Sequence, residues 1–244
     1  MSDSIVYGRN AVLEAIKAGR EFEKVYIQKG EPTGSLIQIK RLVEKKRIPW
    51  QEADKVRLAE LSDGGNHQGI VAVVSPVRLY EVSEILDLAR EKGDDPFLVV
   101  LESIQDPHNL GAILRTAEAV GVHGVILSKH NAVGLTDAVA KTAAGAIEYV
   151  PVAKVSSIAA LVNELKKQNI WVVSADMDGQ SVFKANLSGP LALVIGGEHE
   201  GITRLVKERS DMVVSLPMRG QVNSLNASVA AGVLMYEAAR MRGM

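Results

Sequence analysis

Apolar positions along this chain fall into two rhythms, one helical and one of short uninterrupted runs. In residues 1–76 helical spacing covers Tyr7 to Ala18, with Val12, Leu13 and Ile16 on one face. It returns over Leu36 to Lys46 through Leu36, Ile39, Leu42 and Val43. Lys24 to Gln28 (KVYIQ) predicts a short strand, Val56 to Leu61 a short helix, and Gly69 to Ser75 (GIVAVVS) an apolar strand closed by Pro76. These elements describe a small α/β domain. Val82 to Glu91 predicts a single helix, which runs into the charged, turn-forming stretch Lys92-Gly93-Asp94-Asp95-Pro96, so residues 77–96 read as a linker. From residue 97 to 244 the runs Phe97–Leu101, Gly124–Leu127, Ile170–Ser174, Leu191–Ile195 and Met212–Leu216 are rich in Val, Ile and Leu and are separated by helical stretches. That alternation predicts a mainly parallel sheet with helices on both faces, and ligands at the carboxyl ends of its strands.

Composition narrows the function classes. The 244 residues are 47% hydrophobic and 23% charged, enough to bury a core. No apolar run approaches the roughly 20 residues that cross a bilayer, and the N-terminal stretch is interrupted by Asp3, Arg9, Glu14 and Lys17, so no membrane partner and a cytoplasmic location are expected. With no cysteine, thiolate metal sites and cysteine nucleophiles are excluded. The net charge of −1 does not advertise nucleic acid, and local counts differ little: 12 Lys/Arg against 10 Asp/Glu in residues 1–76, 16 against 19 in residues 77–244. The dense basic stretch Lys40, Arg41, Lys45, Lys46 and Arg47 lies on a predicted helix and reads first as a solvated face. Asn66-His67-Gln68-Gly69 reads as a turn as readily as an RNA contact.

Three segments end or follow predicted strands and gather polar and glycine residues. In Asp106-Pro107-His108-Asn109-Leu110-Gly111, Asp106 and Asn109 are helix-start residues, and Arg115 falls inside that helix on the face of Gly111, where its fork suits a phosphate or carboxylate. In Leu191 to Gly201 (LALVIGGEHEG) an apolar strand meets Gly196, Gly197 and Glu198. In Met212 to Ala230 a strand ends at Pro217, a polar loop follows, and Ser224 is expected to cap a last helix, Leu225 to Met241. Each segment alone is explicable by caps and turns. No G-x-G occurs, which disfavours dinucleotide enzymes, and the phosphate-loop signature is missing, Lys141-Thr142 lacking its glycines. The histidines at 67, 108, 123, 130 and 199 show no ligand spacing, and His199 between two glutamates reads as a surface or supporting residue, so no metal is expected.

In order, D-P-x-N-x-G-x-x-x-R, V-I-G-G-E-x-x-G and L-P-M-x-G-x-x-x-S-L-N-x-S-x-A resemble the three motifs of the SpoU (TrmH-like) branch of the SPOUT RNA methyltransferases. The resemblance covers about 150 C-terminal residues, while residues 1–76 look like the family's L30e-like RNA substrate-binding domain. It implies a deep trefoil knot, S-adenosylmethionine as methyl donor, a homodimer, and transfer to the ribose 2′-hydroxyl of a guanosine in 23S rRNA. A tRNA guanosine is the alternative, and a non-catalytic RNA-binding protein of the same fold the rival from another class. By motif position, Gly196, Gly197, Leu216, Met218 and Leu225 are expected around the methyl donor, and Asn109, Arg115, Glu198, Ser224 and Asn226 on the catalytic surface.

Overall fold

A computed structural model of the chain describes residues 4–20, 22–74, 78–198, 200–221 and 224–244. It divides into two compact units. One comprises residues 1–78 together with 135–149, the other residues 79–134 together with 150–244. The expected Ser75–Pro76 strand end falls outside the described residues.

The first unit is a four-stranded sheet in the order β1-β4-β2-β3, formed by β1 (Ser4–Tyr7), β2 (Phe22–Gln28), β3 (Trp50–Ala53) and β4 (Ile70–Val74). Strand β4 pairs antiparallel with β1 and β2, and β2 pairs parallel with β3. Helices α1 (Arg9–Lys17) and α2 (Ser35–Lys45) cover one face, burying Val12, Ile16, Ile39 and Val43 against Val25, Ile27, Ile70 and Ala72. Helix α3 (Lys55–Leu61) starts at Asp54, whose side chain accepts the Arg57 N–H, and sets Leu58 against Val71 and Ala53. The expected helix start at Tyr7 is corrected: Tyr7 ends β1, and Gly8, at φ 91°, turns the chain into α1. Strand β1 is four residues long and has no strong apolar alternation, so the helical rhythm that follows it masked it. The excursion 135–149 contributes α6 (Asp137–Thr142) and is held by a buried ion pair, Arg20 to Glu148 at 2.8 Å.

The second unit is a wholly parallel seven-stranded sheet. Its strands are β5 (Leu79–Tyr80), β6 (Phe97–Glu102), β7 (Gly124–Ser128), β8 (Val152–Val155), β9 (Trp171–Ser181), β10 (Leu191–Gly196) and β11 (Met212–Ser215), in the order β11-β9-β10-β6-β7-β8-β5. Every residue of β6 and all but the last of β10 are buried, as near-continuous apolar runs require in a sheet covered on both faces. Helices α4 (Val82–Lys92) and α7 (Ile158–Lys167) pack Ile85, Leu86, Leu161 and Leu165 on Leu98, Val100, Ile126 and Val194. Helix α8 (Arg204–Arg209) packs on α7, helices α5 (Pro107–Ala119) and α9 (Ala227–Met241) pack on each other, and α9 also contacts β10. The chain reverses its direction of sheet growth between β6 and β10, neighbours in space although 89 positions separate Glu102 from Leu191 in sequence. Such a switch point opens a crevice at the carboxyl ends of the strands.

His123 is a buried polar side chain at the amino end of β7. Its Nδ1 accepts the Phe97 N–H at 3.0 Å, and burial holds its pKa below the ordinary imidazole range. The unfolded chain takes up a proton near pH ~6.5, whereas the folded one resists it, so protonation favours unfolding. His67, also buried with a lowered pKa, acts in the same direction. The urea midpoint is therefore expected to fall as pH drops from 7.5 to 5.5. Replacing both histidines with Gln should flatten that segment of the profile; a slope as steep as wild type would remove the histidines as its cause.

Candidate active site at the carboxyl ends of the parallel strands

At the switch point the backbone is packed too tightly for side chains. A Cβ on Gly196 would stand 2.2 Å from the Gly201 carbonyl carbon, and one on Gly197 would stand 2.2 Å from the Ser103 carbonyl oxygen. The Gly197 N–H donates to Glu102 O at 2.8 Å, and the Gly201 N–H to Gly197 O at 2.9 Å, closing a tight loop after β10. The buried Glu102 carboxylate anchors the far end of that loop by accepting the Thr203 N–H at 2.9 Å and the Thr203 hydroxyl at 3.0 Å.

A second irregularity lies across the crevice. In the β9–β11 ladder Val213 pairs with Ser174 but Val214 pairs with Gln180, so residues 175–179 loop out of the sheet. Between this bulge, the glycine loop and the segment after β11 lies a cavity of about 640 Å³. Gly196, Gly197, Leu216, Met218 and Leu225 all line it, together with Glu198 and Ser224. The remaining lining includes Ile195, Val214 and Leu234, with the carboxylates Asp176 and Glu200. Sequence reasoning missed Asp176 and Glu200. The position of Asp176, just past the apolar run of a predicted strand, was the available signal.

Beside the cavity, three of the expected polar residues form one hydrogen-bonded cluster. Glu198 Oε1 accepts from Asn109 Nδ2 at 3.0 Å, from Asn226 Nδ2 at 2.6 Å and from the Ala227 N–H at 3.4 Å. Asn226 Nδ2 also donates to Asn109 Oδ1 at 2.9 Å. Asn226 Oδ1 accepts the N–H groups of Ser228 and Val229, so Asn226 is the N-cap of α9. This corrects the expected cap at Ser224. The helix begins at Ala227, and Ser224 stands two residues before the cap, exposed on the cavity wall. Both residue types cap well, and only the chain direction at the helix start chooses between them. The Glu198 Oε2 atom has no hydrogen-bond partner among the described residues. It is free to accept a donor from outside the cluster.

Asn109 sits in the first turn of α5, whose N-cap is Asp106, with Pro107 in the first turn. Arg115 is exposed on the same helix, six residues on from Asn109, about 9 Å along the axis and on a different face. Among the described residues it makes no hydrogen bond or ion pair, and the fold does not bring it into the cluster. His199 and residues 222–223 of the polar loop lie outside the described residues.

Residues 96–236 match the SpoU rRNA Methylase family, and residues 5–80 match a family described as RNA 2′-O ribose methyltransferase substrate binding. A protein of Bacillus subtilis (strain 168) assigned to the TrmH family of tRNA/rRNA methyltransferases, YacO, is 45% identical over 239 residues, covering 97% of this chain and 95% of its own length. The 23S rRNA (guanosine-2′-O-)-methyltransferase RlmB of Escherichia coli (strain K12) is 40% identical over 240 residues, covering 98% of both chains. Among solved structures, the SpoU methyltransferase AviRb of Streptomyces viridochromogenes, crystallised with AdoMet, shares the fold at a TM-score of 0.81 and 24% identity, over 98% of this chain and 90% of its own. With a family match over more than half its length and relatives of this identity along nearly all of it, the chain belongs to the SpoU family of RNA methyltransferases.

Proposed function

We propose that the chain, as a homodimer, transfers the methyl group of S-adenosylmethionine to the ribose 2′-hydroxyl of a guanosine in 23S rRNA. In this reading residues 97–244 carry the chemistry, residues 1–76 grip the RNA, and 77–96 join them. The carrying observation is the cluster in which Glu198 joins Asn109 to Asn226 beside a cavity lined by Gly196, Leu216 and Leu225. The name of the E. coli relative favours rRNA and guanosine, and the tRNA/rRNA designation of the B. subtilis relative keeps a tRNA guanosine as the alternative substrate.

The lining suits the methyl donor. Leu216, Met218, Leu225 and Leu234 offer apolar surface for an adenine ring, Gly196 and Gly197 keep side-chain bulk out of the wall, and Glu198 and Glu200 suit a ligand carrying ammonium and sulfonium charges. When bound, S-adenosylmethionine supplies a methyl group already activated by its sulfonium.

The protein's task is then alignment and removal of a weakly acidic proton. Ser224, exposed on the cavity wall, orients the ribose hydroxyl, Asn226 positions Glu198 with its amide, and Glu198 holds both asparagines through one oxygen and keeps the other free for a substrate donor. Arg115 corresponds to the residue regarded as the family's base. A guanidinium stays protonated in proteins, so its part here is to hold the phosphate beside the target ribose. Its exposure and lack of a partner among the described residues fit a site completed across a dimer. The exposed apolar residues Val229, Val233 and Tyr236 on α9, with Phe183 and Met244, supply a dimer surface.

Calorimetry is expected to show saturable binding of S-adenosylmethionine; no heat at millimolar ligand would remove the donor assignment. Arg115→Ala is expected to slow single-turnover methyl transfer to RNA about 100-fold, in the range for losing one preorganised charge contact, with donor affinity unchanged. A near wild-type single-turnover rate would overturn that role. Mapping 2′-O-methyl groups in RNA from cells with and without the protein should show one guanosine lost from 23S rRNA. A loss confined to tRNA would select the alternative.

A further inference from the structure

A second cavity, of about 720 Å³, lies wholly within the unit that carries residues 1–78. Its charged lining is Arg9, Lys29 and Lys55 against the single carboxylate Glu31, an excess of cations in a chain whose net charge is −1. None of the three cations meets a carboxylate among the described residues. Arg9 spends its donors on neutral groups: its Nε on Gln68 O at 3.0 Å, its Nη1 on Thr33 O at 3.1 Å and its backbone N–H on Gln68 Oε1 at 3.1 Å. The guanidinium thereby pins two loops as a preformed rim and leaves its charge uncompensated. Because Gln68 Oε1 is taken, the side-chain amide nitrogen of Gln68 remains a donor.

His67 forms part of the wall and is more than nine-tenths buried. Its Nδ1 accepts the Gly69 N–H at 3.0 Å, which assigns the proton of the neutral ring to Nε2. That Nε2 has no partner among the described residues. No fully buried side-chain nitrogen or oxygen among the described residues is left unpaired, so the Nε2–H keeps contact with solvent, on a residue that lines the cavity. Burial, aided by the charge of Lys55, lowers the imidazole pKa and keeps the ring neutral. The backbone N–H groups of Asn66, His67 and Gln68 likewise donate to nothing among the described residues.

We propose that this cavity takes one nucleotide of an unpaired RNA strand, with Lys29, Lys55 and the 66–68 backbone amides on its phosphate and His67 Nε2 on its base or sugar. The proposal rests on the RNA-methyltransferase reading and specifies where residues 1–76 grip the RNA. The volume lies within the roughly 300–1,000 Å³ of small-ligand sites. A concave pocket with inward-facing donors receives a splayed nucleotide, whereas a duplex keeps its bases stacked and offers only its outer grooves.

The test uses the full chain and a fluorescein-labelled, mixed-sequence single-stranded RNA 12-mer, titrated at several salt concentrations. Lys29→Ala with Lys55→Ala is expected to weaken binding about tenfold and to flatten the slope of log affinity against log salt by about 0.7, the value for one phosphate contact on a single strand. His67→Asn retains an acceptor for the Gly69 N–H through an Asx turn and removes the Nε2 donor, so it should weaken binding about fivefold with an unchanged thermal midpoint. S-adenosylmethionine binding should stay at wild-type affinity in both variants. Wild-type RNA affinity in both, with loss instead in Lys40→Ala/Arg41→Ala, would move the contact to the basic face of α2 and overturn the proposal. Equal competition by a duplex of the same length would also overturn it. If the wild-type chain binds S-adenosylmethionine but no RNA, the proposal and the RNA reading fall together; failure to bind S-adenosylmethionine alone would strike only the methyl-transfer reading.

Discussion

The approach of bare backbone to bare backbone after β10 is the constraint on which the second unit's chemistry depends. Gly196 and Gly197 pass Gly201 and Ser103 at distances that exclude any Cβ, and the Gly197 N–H meets the carbonyl at the end of β6. This contact joins the carboxyl ends of two strands that are remote in sequence and adjacent in the sheet. It also aims the chain so that Glu198 emerges toward Asn109 on α5 and Asn226 at the head of α9. Alanine at Gly197 would force the loop off the end of β6, and alanine at Gly196 would drive apart the two arms of the loop at Gly201; in either case the carboxylate would move.

Asn226 shows how one side chain serves structure and site together. Its carbonyl oxygen caps α9, which leaves its amide no choice but to point back at Glu198 and Asn109. The helix cap therefore fixes the orientation of a group beside the cavity, and the rigidity of a long packed helix is passed directly to it. Glu198, loaded with three donors on Oε1, becomes a fixed acceptor rather than a mobile surface carboxylate.

The first unit applies the same economy to a different ligand chemistry. Arg9 is consumed in stitching loops through neutral carbonyls, so the cation that shapes the second cavity also gives it a positive potential. The conspicuous basic run lies on the solvent face of α2 and just past its end, and charge density in the sequence points there first. The sparser set of Arg9, Lys29 and Lys55 comes together only through folding.

The parallel sheet was legible in the sequence, because Phe97–Leu101 and Leu191–Ile195 are too uniformly apolar to have a solvated face. The three polar strand ends were legible only as a set, since each alone is explicable by caps and turns and their joint order and spacing carry the signal. The short strands β1, β3, β5 and β8 were not legible, because two to four residues paired at or near a sheet edge carry too little periodicity to register. Nor could the pattern reveal that residues 135–149 pack with the first unit, that residues 175–179 bulge into the cavity wall, or that Asn226 rather than Ser224 caps α9. Each of these depends on which distant backbone a residue meets. Local spacing encodes burial, whereas strand order and loop crossings are settled only when the whole core closes.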